Sequence, residues 1–262
     1  MVVVDTHCHA TPYWFEPVEI LLDQMARNQV DHAVLIQIRG VYDNSYMLEC
    51  LRRFPGRFAA VCMVDVSRPD APQRLEELVK QGVQGIRLDP SQRSPGSDPL
   101  AIWRKSAELG IVVSCSGSDP ALISPEFERL IQEFSNLNIV IEHLGNGGKD
   151  ATPPHNTYRR VLALAKYSNT FMKVPGLGEI CPRPTPFIQP MPFANIPPLV
   201  ELAIEAFGAP RLMWGSDFPP VASREGYRNA LQWPREHVRF KSAADQEWIF
   251  GKTATTLWRF GG

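Results

Sequence analysis

The sequence lacks the markers of several protein classes. Its five cysteines lie far apart among 262 residues and form no CxxC pair, so neither a zinc knuckle nor a disulfide framework is indicated. No apolar run approaches the roughly 20 residues that a membrane-spanning helix requires. The chain does not open with a basic segment followed by an apolar one, as a secretory signal would. We therefore expect reduced thiols and a cytoplasmic protein without a membrane partner.

An excess of charge of one sign is absent as well. The formal net charge is −1 and the basic residues are scattered, which argues against a nucleic-acid partner. Hydrophobic residues make up 44% of the chain and charged residues 21%, a composition typical of a globular protein with a large core. We expect a small-molecule substrate as the partner. The composition leaves the oligomeric state open, and a homo-oligomer is compatible with it.

Short apolar runs alternate with amphipathic stretches along the whole chain. The runs predict strands at 2–5, 33–38, 58–64, 83–88, 111–115, 138–142, 170–174 and 211–214. The amphipathic stretches predict helices near 17–29, 44–53, 72–81, 98–109, 124–134, 154–167, 196–207 and 224–232, with two more near 243–250 and 252–259.

The predicted strands show little polar alternation. A continuous apolar run such as 33–36 is typical of a strand that is covered on both faces, as in a parallel sheet. Eight such strands with helical crossovers predict an α/β fold, a single (β/α)8 TIM barrel over residues 1–262 with extra C-terminal helices. An open doubly wound sheet is the alternative. No GxGxxG motif follows the first strand, which removes the main reason to prefer it.

Proline is concentrated in one segment, 175–198, which follows the seventh predicted strand and contains eight prolines. Proline fixes φ and removes a backbone donor, and the segment shows no helical periodicity, so we predict a long and fairly rigid loop. Loops that follow strands lie on the catalytic face of a barrel. The segment is expected either to cover an active site or to be a surface loop without a role in the site.

The first strand ends in a carboxylate and two histidines at alternate positions, Asp5, His7 and His9. Alternate residues of a strand point to the same face, so the three side chains are predicted to lie together. Two imidazoles at the end of a strand can hold a divalent cation or polarise an oxyanion. A buried strand with a hydrogen-bonded polar tip is the alternative interpretation.

Polar side chains also end the other predicted strands. They are Gln37, Arg39, Asp65, Arg87, Asp89, Ser114, Ser116, Glu142, His143, Lys173, Ser216 and Asp217. Because the carboxyl ends of barrel strands meet at one mouth, His143 and Asp217 are predicted to join His7 and His9 there. Each residue has a structural alternative: His143 could bond a backbone carbonyl, Asp217 could cap a turn, and Arg87 could form an ion pair across the mouth.

Several of these segments, in this order, resemble the amidohydrolase superfamily, in particular its amidohydrolase-related branch of TIM-barrel hydrolases, lactonases and decarboxylases. The matching segments are Asp5–His9, Gly85–Leu88, Ile141–Gly145, Trp214–Pro219 and the closing Ile249–Leu257. The stretch from Val41 to Phe58 is similar to the sugar-lactonase and pyrone-dicarboxylate-lactonase side of that branch.

The resemblance implies a role for each matched residue. His7 and His9 correspond to the metal-binding or substrate-binding pair of the first strand, His143 to the histidine of the sixth strand, and Asp217 to the aspartate that handles the proton of water. Arg87 stands where members with two metals carry a carbamylated lysine, which argues against a binuclear site. The fifth strand ends without the further histidine of single-metal members. The implied cofactor is one divalent metal on His7, His9 and Asp217, with zinc the first choice, or none.

The resulting prediction is a hydrolase of a small cyclic ester (lactone) or related carbonyl compound. Asp217 and His143 are the predicted catalytic residues, and His7, His9 and His143 polarise the carbonyl or hold the metal. Substrate binding is assigned to Arg39, Arg87 and Lys173. Two alternatives stay open: a metal-dependent, non-oxidative decarboxylase of an aromatic or muconate-type acid, and a catalytically inactive binding barrel.

Overall fold

The computed structural model describes residues 1–187, 191–193 and 195–261. Its eight strands are all parallel and follow one another around a single sheet in the order of the chain. The strands are β1 (Val4–Cys8), β2 (His32–Ile36), β3 (Phe58–Cys62), β4 (Gly85–Leu88), β5 (Val112–Cys115), β6 (Ile139–Ile141), β7 (Thr170–Val174) and β8 (Leu212–Trp214). Each predicted strand is confirmed, with small shifts at the ends.

Helices connect the strands and close the chain, as a (β/α)8 barrel requires. The α-helices are α1 (Val18–Arg27), α2 (Ser45–Arg53), α3 (Ala71–Lys80), α4 (Ala101–Glu108), α5 (Asp119–Leu122), α6 (Pro125–Glu133), α7 (Asn156–Leu162), α8 (Leu177–Ile180), α9 (Leu199–Phe207), α10 (Tyr227–His237), α11 (Ala243–Glu247) and α12 (Thr253–Leu257). Tighter 3-10 turns occupy Ala163–Lys166, Ala209–Arg211 and Pro220–Ser223, and a π-turn, Trp248–Lys252, joins α11 to α12. The segment His143–Asp150 also contains 3-10 turns, but left-handed residues at 144–146 interrupt it. Among the described residues, no helix is long and apolar enough to cross a membrane.

The proline-rich segment departs from the prediction at its start. Residues 175–198 are predicted to lack helix, yet α8 forms there directly after β7. A single turn of four residues is too short to produce a periodic pattern, which needs a window of about 11 residues. The same reason applies to α5, which the sequence does not predict. Positions 188–190 and 194 of the segment lie outside the described residues.

Two apolar layers stabilise the barrel. The larger lies between the sheet and the surrounding helices. The smaller fills the barrel interior near the amino-terminal ends of the strands with Val4, Val34, Ala59, Val112, Val140 and Met213, among others. Ala254 of α12 and the following Trp258 pack onto this inner layer, so the C-terminal helices close that end of the barrel. The opposite, carboxyl end is left for polar side chains.

β1 and β8 meet through a short series of backbone bonds that closes the barrel, here called the seam. The Asp217 amide donates to the His7 carbonyl at 2.8 Å, and the His9 amide donates to the Phe218 carbonyl at 2.8 Å. The Asp5 carboxylate accepts from the Ser216 amide at 2.9 Å and from its hydroxyl at 2.6 Å. The residues that close the barrel therefore include the predicted site residues.

The predicted common face of Asp5, His7 and His9 is only partly correct. β1 carries a bulge. Asp5 pairs with Ala33 and Cys8 pairs with Leu35, so β1 has one more residue between these pairs than β2. The bulge interrupts the alternation of side chains. The Asp5 carboxylate consequently bonds Ser216 in the seam, whereas both histidines approach Asp217.

Gly215 allows β8 to approach β1 in the seam. A Cβ atom added there would lie 2.7 Å from the His7 Cβ and 2.9 Å from the His7 nitrogen. We expect Gly215→Ala to lower the free energy of unfolding by about 1–3 kcal/mol, the usual cost of overpacking. Chemical denaturation measures it. Gly261→Ala is the control, since a Cβ there meets nothing within 4 Å. Equal stability of the two variants would contradict the close packing of the seam.

Candidate active site

The structure brings His7, His9, His143 and Asp217 together at the carboxyl end of the barrel. The His7 ring centroid lies 5.0 Å from that of His9 and 4.5 Å from that of His143. The Nε2 atoms of His7 and His9 lie 3.9 Å and 3.6 Å from Asp217 Oδ1. Three imidazoles therefore surround one carboxylate, as the strand ends predict; the chemical role of each residue stays a prediction.

His9 is oriented by the neighbouring strand. Its Nδ1 lies 2.7 Å from the Ile36 carbonyl of β2. A carbonyl oxygen only accepts, so Nδ1 carries a proton and Nε2 faces Asp217. The ring of Phe15 stacks on His9 at a centroid distance of 5.6 Å. These two contacts hold the imidazole beside the carboxylate.

Lys173 lies behind His7 and is only 2% exposed. Its Nζ is 3.1 Å from His7 Nδ1 and 3.1 Å from Ser114 Oγ. Burial lowers the pKa of Lys173 to about 8, so the amine is mostly protonated at neutral pH. Burial and the charge of Lys173 hold the pKa of His7 well below its ordinary value, and His7 is neutral. Lys173, predicted to bind substrate, is thus engaged by other side chains of the site.

Arg87 and Glu142 form a buried ion pair on β4 and just after β6. Arg87 donates to Glu142 through Nε at 3.1 Å and Nη2 at 2.8 Å, and through Nη1 to the Gln37 carbonyl at 3.0 Å. Ser114 Oγ donates to Glu142 Oε1 at 2.6 Å. Burial would raise the pKa of Glu142, but the charges of Arg87 and Lys173 bring it well below its usual range. Arg87 takes the ion-pair role that the sequence left as an alternative to substrate binding.

His143 is paired with a carboxylate that sequence reasoning missed. Its Nδ1 lies 2.9 Å from Glu179 Oε1, and Glu179 belongs to the short helix α8. Burial alone would lower the pKa of His143, but the charge of Glu179 and its hydrogen bond raise it above the ordinary value. No periodic or strand-end signal marks Glu179, because it depends on a single helical turn within the proline-rich segment.

Arg224 is a second residue that the sequence did not reveal. Its Nη1 donates to Asp217 Oδ2 at 2.9 Å, and its Nη2 lies 3.6 Å from Glu179 Oε2. Burial would raise the pKa of Asp217, but the neighbouring His9 and the charges of His143 and Arg224 bring it below the ordinary value. Asp217 is therefore an ionised carboxylate with one oxygen engaged by Arg224 and the other facing the histidines.

Two positively charged regions border the site. Arg39 donates to Ser116 Oγ just after β5, and it is exposed. A cleft of about 690 Å³ opens beside Glu179 and Arg224, and its lining also includes Arg183 and Lys149. Basic side chains thus lie near the end of β5 and in this cleft, whose lining also carries the carboxylates of Glu179 and Glu225.

The site fits a metal ion only in part. One ligand atom each from His7, His9 and Asp217 lie within 4.8 Å of one another, and two further groups combine His7, Glu142 and His143, or His143, Glu179 and Asp217. His9 resembles a metal ligand, because its Nδ1 donates to a carbonyl and its Nε2 faces the site. His7 does not fit, because the ammonium of Lys173 lies where a proton acceptor is expected.

Comparison with known proteins gives one family match. The sequence model described as "Amidohydrolase" matches residues 4–260. The chain is 25% identical over 245 residues to an L-fucono-1,5-lactonase of Burkholderia ambifaria, covering 90% of this chain and 82% of that protein. It is also 25% identical over 200 residues to a 4-sulfomuconolactone hydrolase of Hydrogenophaga intermedia, covering 74% of this chain and 60% of that protein.

Solved structures share the fold. A candidate 2-pyrone-4,6-dicarboxylic acid hydrolase of Pseudomonas putida superimposes with a TM-score of 0.77 at 25% identity, covering 98% of this chain and 97% of that one. An amidohydrolase of Burkholderia multivorans solved with bound zinc gives a TM-score of 0.78 at 20% identity, covering 98% of this chain and 99% of that one. At 20% identity, the second match supports the fold alone.

Removing one partner of the buried Arg87–Glu142 pair should destabilise the folded protein. Arg87→Met leaves a buried carboxylate without its guanidinium, and we expect the free energy of unfolding at pH 7 to fall by about 3–5 kcal/mol. Because the pKa of Glu142 is lowered in the folded protein, the stabilisation is present above its unfolded pKa of about 4.3 and fades as the pH falls further. The difference between wild type and variant should therefore shrink at acid pH.

Denaturation at pH 7 and at acid pH measures this effect. Arg87→Met/Glu142→Leu should recover much of the loss, because neither charge is then left unpaired. Arg74→Met removes the exposed partner of Glu77 and is the control, with no measurable change expected. If Arg87→Met costs no more stability than Arg74→Met, the Glu142 carboxylate does not depend on the guanidinium.

Proposed function

The chain belongs to the amidohydrolase family, and from that premise we propose that it hydrolyses a small lactone or related cyclic ester, with Asp217 activating the water. The proposal rests chiefly on one observation: an ionised carboxylate, Asp217, lies beside the Nε2 atoms of His7 and His9 at the mouth of the barrel. The lactone-hydrolysing names of the similar proteins support the choice of substrate class.

Asp217 is suited to act as a general base. Its Oδ2 is engaged by Arg224, so Oδ1 is the oxygen that can accept a proton from water. Ionisation at neutral pH follows from its lowered pKa. Transfer of the proton to Oδ1 lets the hydroxide oxygen attack the lactone carbonyl carbon, and catalysis by a positioned base typically contributes about 10²–10⁴-fold to the rate.

His143 and His7 are suited to stabilise the oxyanion that forms. The raised pKa of His143 favours a positive charge on its ring, 4.5 Å from that of His7. Fixed donors in a desolvated site stabilise charge that develops in a transition state. When the tetrahedral intermediate collapses, the ring C–O bond breaks and the proton returns from Asp217 to the leaving oxygen, which regenerates the base.

Positive side chains around the site suit a lactone that carries an acidic substituent. Arg39 bonds Ser116 just after β5, and Arg183 and Lys149 line the cleft beside Glu179 and Arg224. The names of similar proteins include a sulfonated and a dicarboxylic lactone, which agrees with this assignment. The segment 175–198, which begins at the end of β7 and includes α8, would then shape the choice of substrate.

A divalent cation on His9 and Asp217 would supply Lewis acidity to the carbonyl. His7 does not fit as a further ligand while Lys173 donates to it, so no step above depends on a metal. A decarboxylase draws no support from the described residues, because β5 ends without a histidine.

Asp217→Asn tests the base. Asparagine tolerates the positive φ of 58° at this position, so the fold should persist. We expect kcat on responsive lactones to fall by about 10²–10⁴-fold, because an amide cannot take the proton. Initial rates on a panel of neutral and acidic lactones measure it. Asp65→Asn, which removes a carboxylate bonded to Ser67, is the control and should leave the rates unchanged. Near-normal turnover in Asp217→Asn would refute the mechanism.

The pH dependence tests the charged form of His143. Activity should rise as Asp217 ionises, below the ordinary aspartate range, and fall when His143 loses its proton, above the ordinary histidine pKa of about 6.5. Glu179→Gln removes the charge that raises the pKa of His143, so the basic limb should move to lower pH. Glu126→Gln, in an exposed pair with Arg129, is the control. An unmoved basic limb in Glu179→Gln would count against this role of His143.

A further inference from the structure

We propose that Lys173 is a positioning residue that fixes the proton of His7 on Nε2, which makes His7 a hydrogen-bond donor to the reacting carbonyl and a poor metal ligand. The identity of the acceptor rests on the proposed lactone hydrolysis. The position of the proton does not, because it follows from contacts inside the protein.

When Lys173 is an ammonium, the donors and acceptors around it allow one arrangement of protons. An ammonium has three N–H donors and no acceptor, so His7 Nδ1, 3.1 Å from Nζ, must accept. A neutral imidazole carries one proton, and the deep burial of His7 beside Lys173 keeps the ring neutral. That proton must therefore lie on Nε2.

The contact between Lys173 and Ser114 also has Lys173 as the donor. Glu142 is held as a carboxylate by Arg87 and can only accept, so the Ser114 hydroxyl, 2.6 Å from Oε1, donates to it. The Ser114 oxygen is then free to accept from Lys173 Nζ at 3.1 Å. Both contacts of the ammonium are thus to acceptors, and hydrogen bonds that run in one direction polarise one another. The Arg87–Glu142 pair orients Lys173, and Lys173 orients His7.

The Nε2 atom of His7 has an unusual environment. It is buried and lacks a hydrogen-bond partner among the described residues, and it lies 3.9 Å from Asp217 Oδ1. A buried polar atom without a partner is costly unless something occupies the adjacent space. The carbonyl oxygen of a bound substrate is an acceptor for this N–H, and it would lie beside Asp217, the carboxylate that activates water.

His7 and His9 therefore differ, although they belong to one short motif. His9 donates through Nδ1 to the Ile36 carbonyl and in its neutral form offers the Nε2 lone pair. His7 offers Nε2–H. A divalent cation needs a lone pair from each imidazole, and metal-bound histidines usually donate their second nitrogen to a carbonyl, carboxylate or water. Of these two histidines, only His9 meets that condition.

The proton can be located by NMR of the full protein labelled with ¹⁵N-histidine. The chain has six histidines, and the His7 signals are assigned by their loss in His7→Gln. We expect protonated Nε2 and bare Nδ1 in wild type. Lys173→Met, which removes the donor, should shift the ring toward Nδ1–H, whereas Lys173→Gln, which keeps an N–H donor without the charge, should retain the wild-type form. Protonated Nδ1 in wild type would overturn the proposal, even if neither variant folds.

A zinc titration of the metal-free proteins is the second test. Lys173→Met should bind Zn²⁺ at least about tenfold more tightly than wild type, a factor equal to about 1.4 kcal/mol, because His7 can then present its Nε2 lone pair. Lys173→Gln should bind as weakly as wild type. Equal affinity of wild type and Lys173→Met would overturn the proposal.

Kinetics separate this proposal from the proposed function. On a lactone that wild type hydrolyses, Lys173→Met should lose about 10²–10³ in kcat with little change in KM, as expected for one lost oxyanion donor, and Lys173→Gln should restore much of it. An unchanged kcat in Lys173→Met would overturn the catalytic half of the proposal. If wild type hydrolyses none of the lactones, the proposed function fails, while the NMR and zinc results still decide where the His7 proton lies.

Discussion

The seam between β1 and β8 is the constraint on which the rest of the structure depends. Its backbone bonds join Asp217 to His7 and His9 to Phe218, and the Asp5 carboxylate fastens it by accepting from Ser216. These bonds close the barrel and at the same time bring a carboxylate of β8 to two imidazoles of β1. The same bonds therefore close the barrel and set the geometry of the site. A substitution that opens the seam would therefore also move the candidate base away from the histidines.

Burying several charges beneath the site is tolerable because Arg87 and Glu142 are paired and Lys173 is hydrogen-bonded. A charge taken out of water costs several kcal/mol unless it is paired and hydrogen-bonded. Arg87 meets Glu142, and Glu142 also accepts from Ser114, which in turn accepts from Lys173. The charges thus form one connected chain across β4, β5, β6 and β7. Such a chain has a direction, since the Glu142 carboxylate can only accept and the Lys173 ammonium can only donate, and the direction is passed to the imidazole at its end.

Sequence reasoning finds what is encoded locally. Apolar runs mark the strands, and the order of the strands fixes which residues end at the mouth, so His143 and Asp217 could be placed beside His7 from the sequence. Glu179 and Arg224 could not, because they stand on short turns whose positions depend on how the loops pack. Lys173 could be placed at a strand end but not beside its neighbours, because the sequence cannot show that its amine lies behind His7. The bulge after Asp5 is equally invisible, since it depends on pairing with β2.

The two histidines of the first strand show most clearly why a motif does not fix a chemistry. In the sequence His7 and His9 are equivalent, and a pair of imidazoles at alternate positions is read as a metal site. In the fold they face different neighbours: a carbonyl of β2 approaches one ring and an ammonium of β7 approaches the other. A carbonyl accepts a hydrogen bond from the nearer nitrogen, which therefore carries the proton and leaves the far nitrogen as a ligand. An ammonium donates a hydrogen bond to the nearer nitrogen, so the far nitrogen carries the proton and is a donor. The same pair of residues can therefore serve a metal or an oxyanion. The neighbouring strands, which are distant in sequence, decide between them.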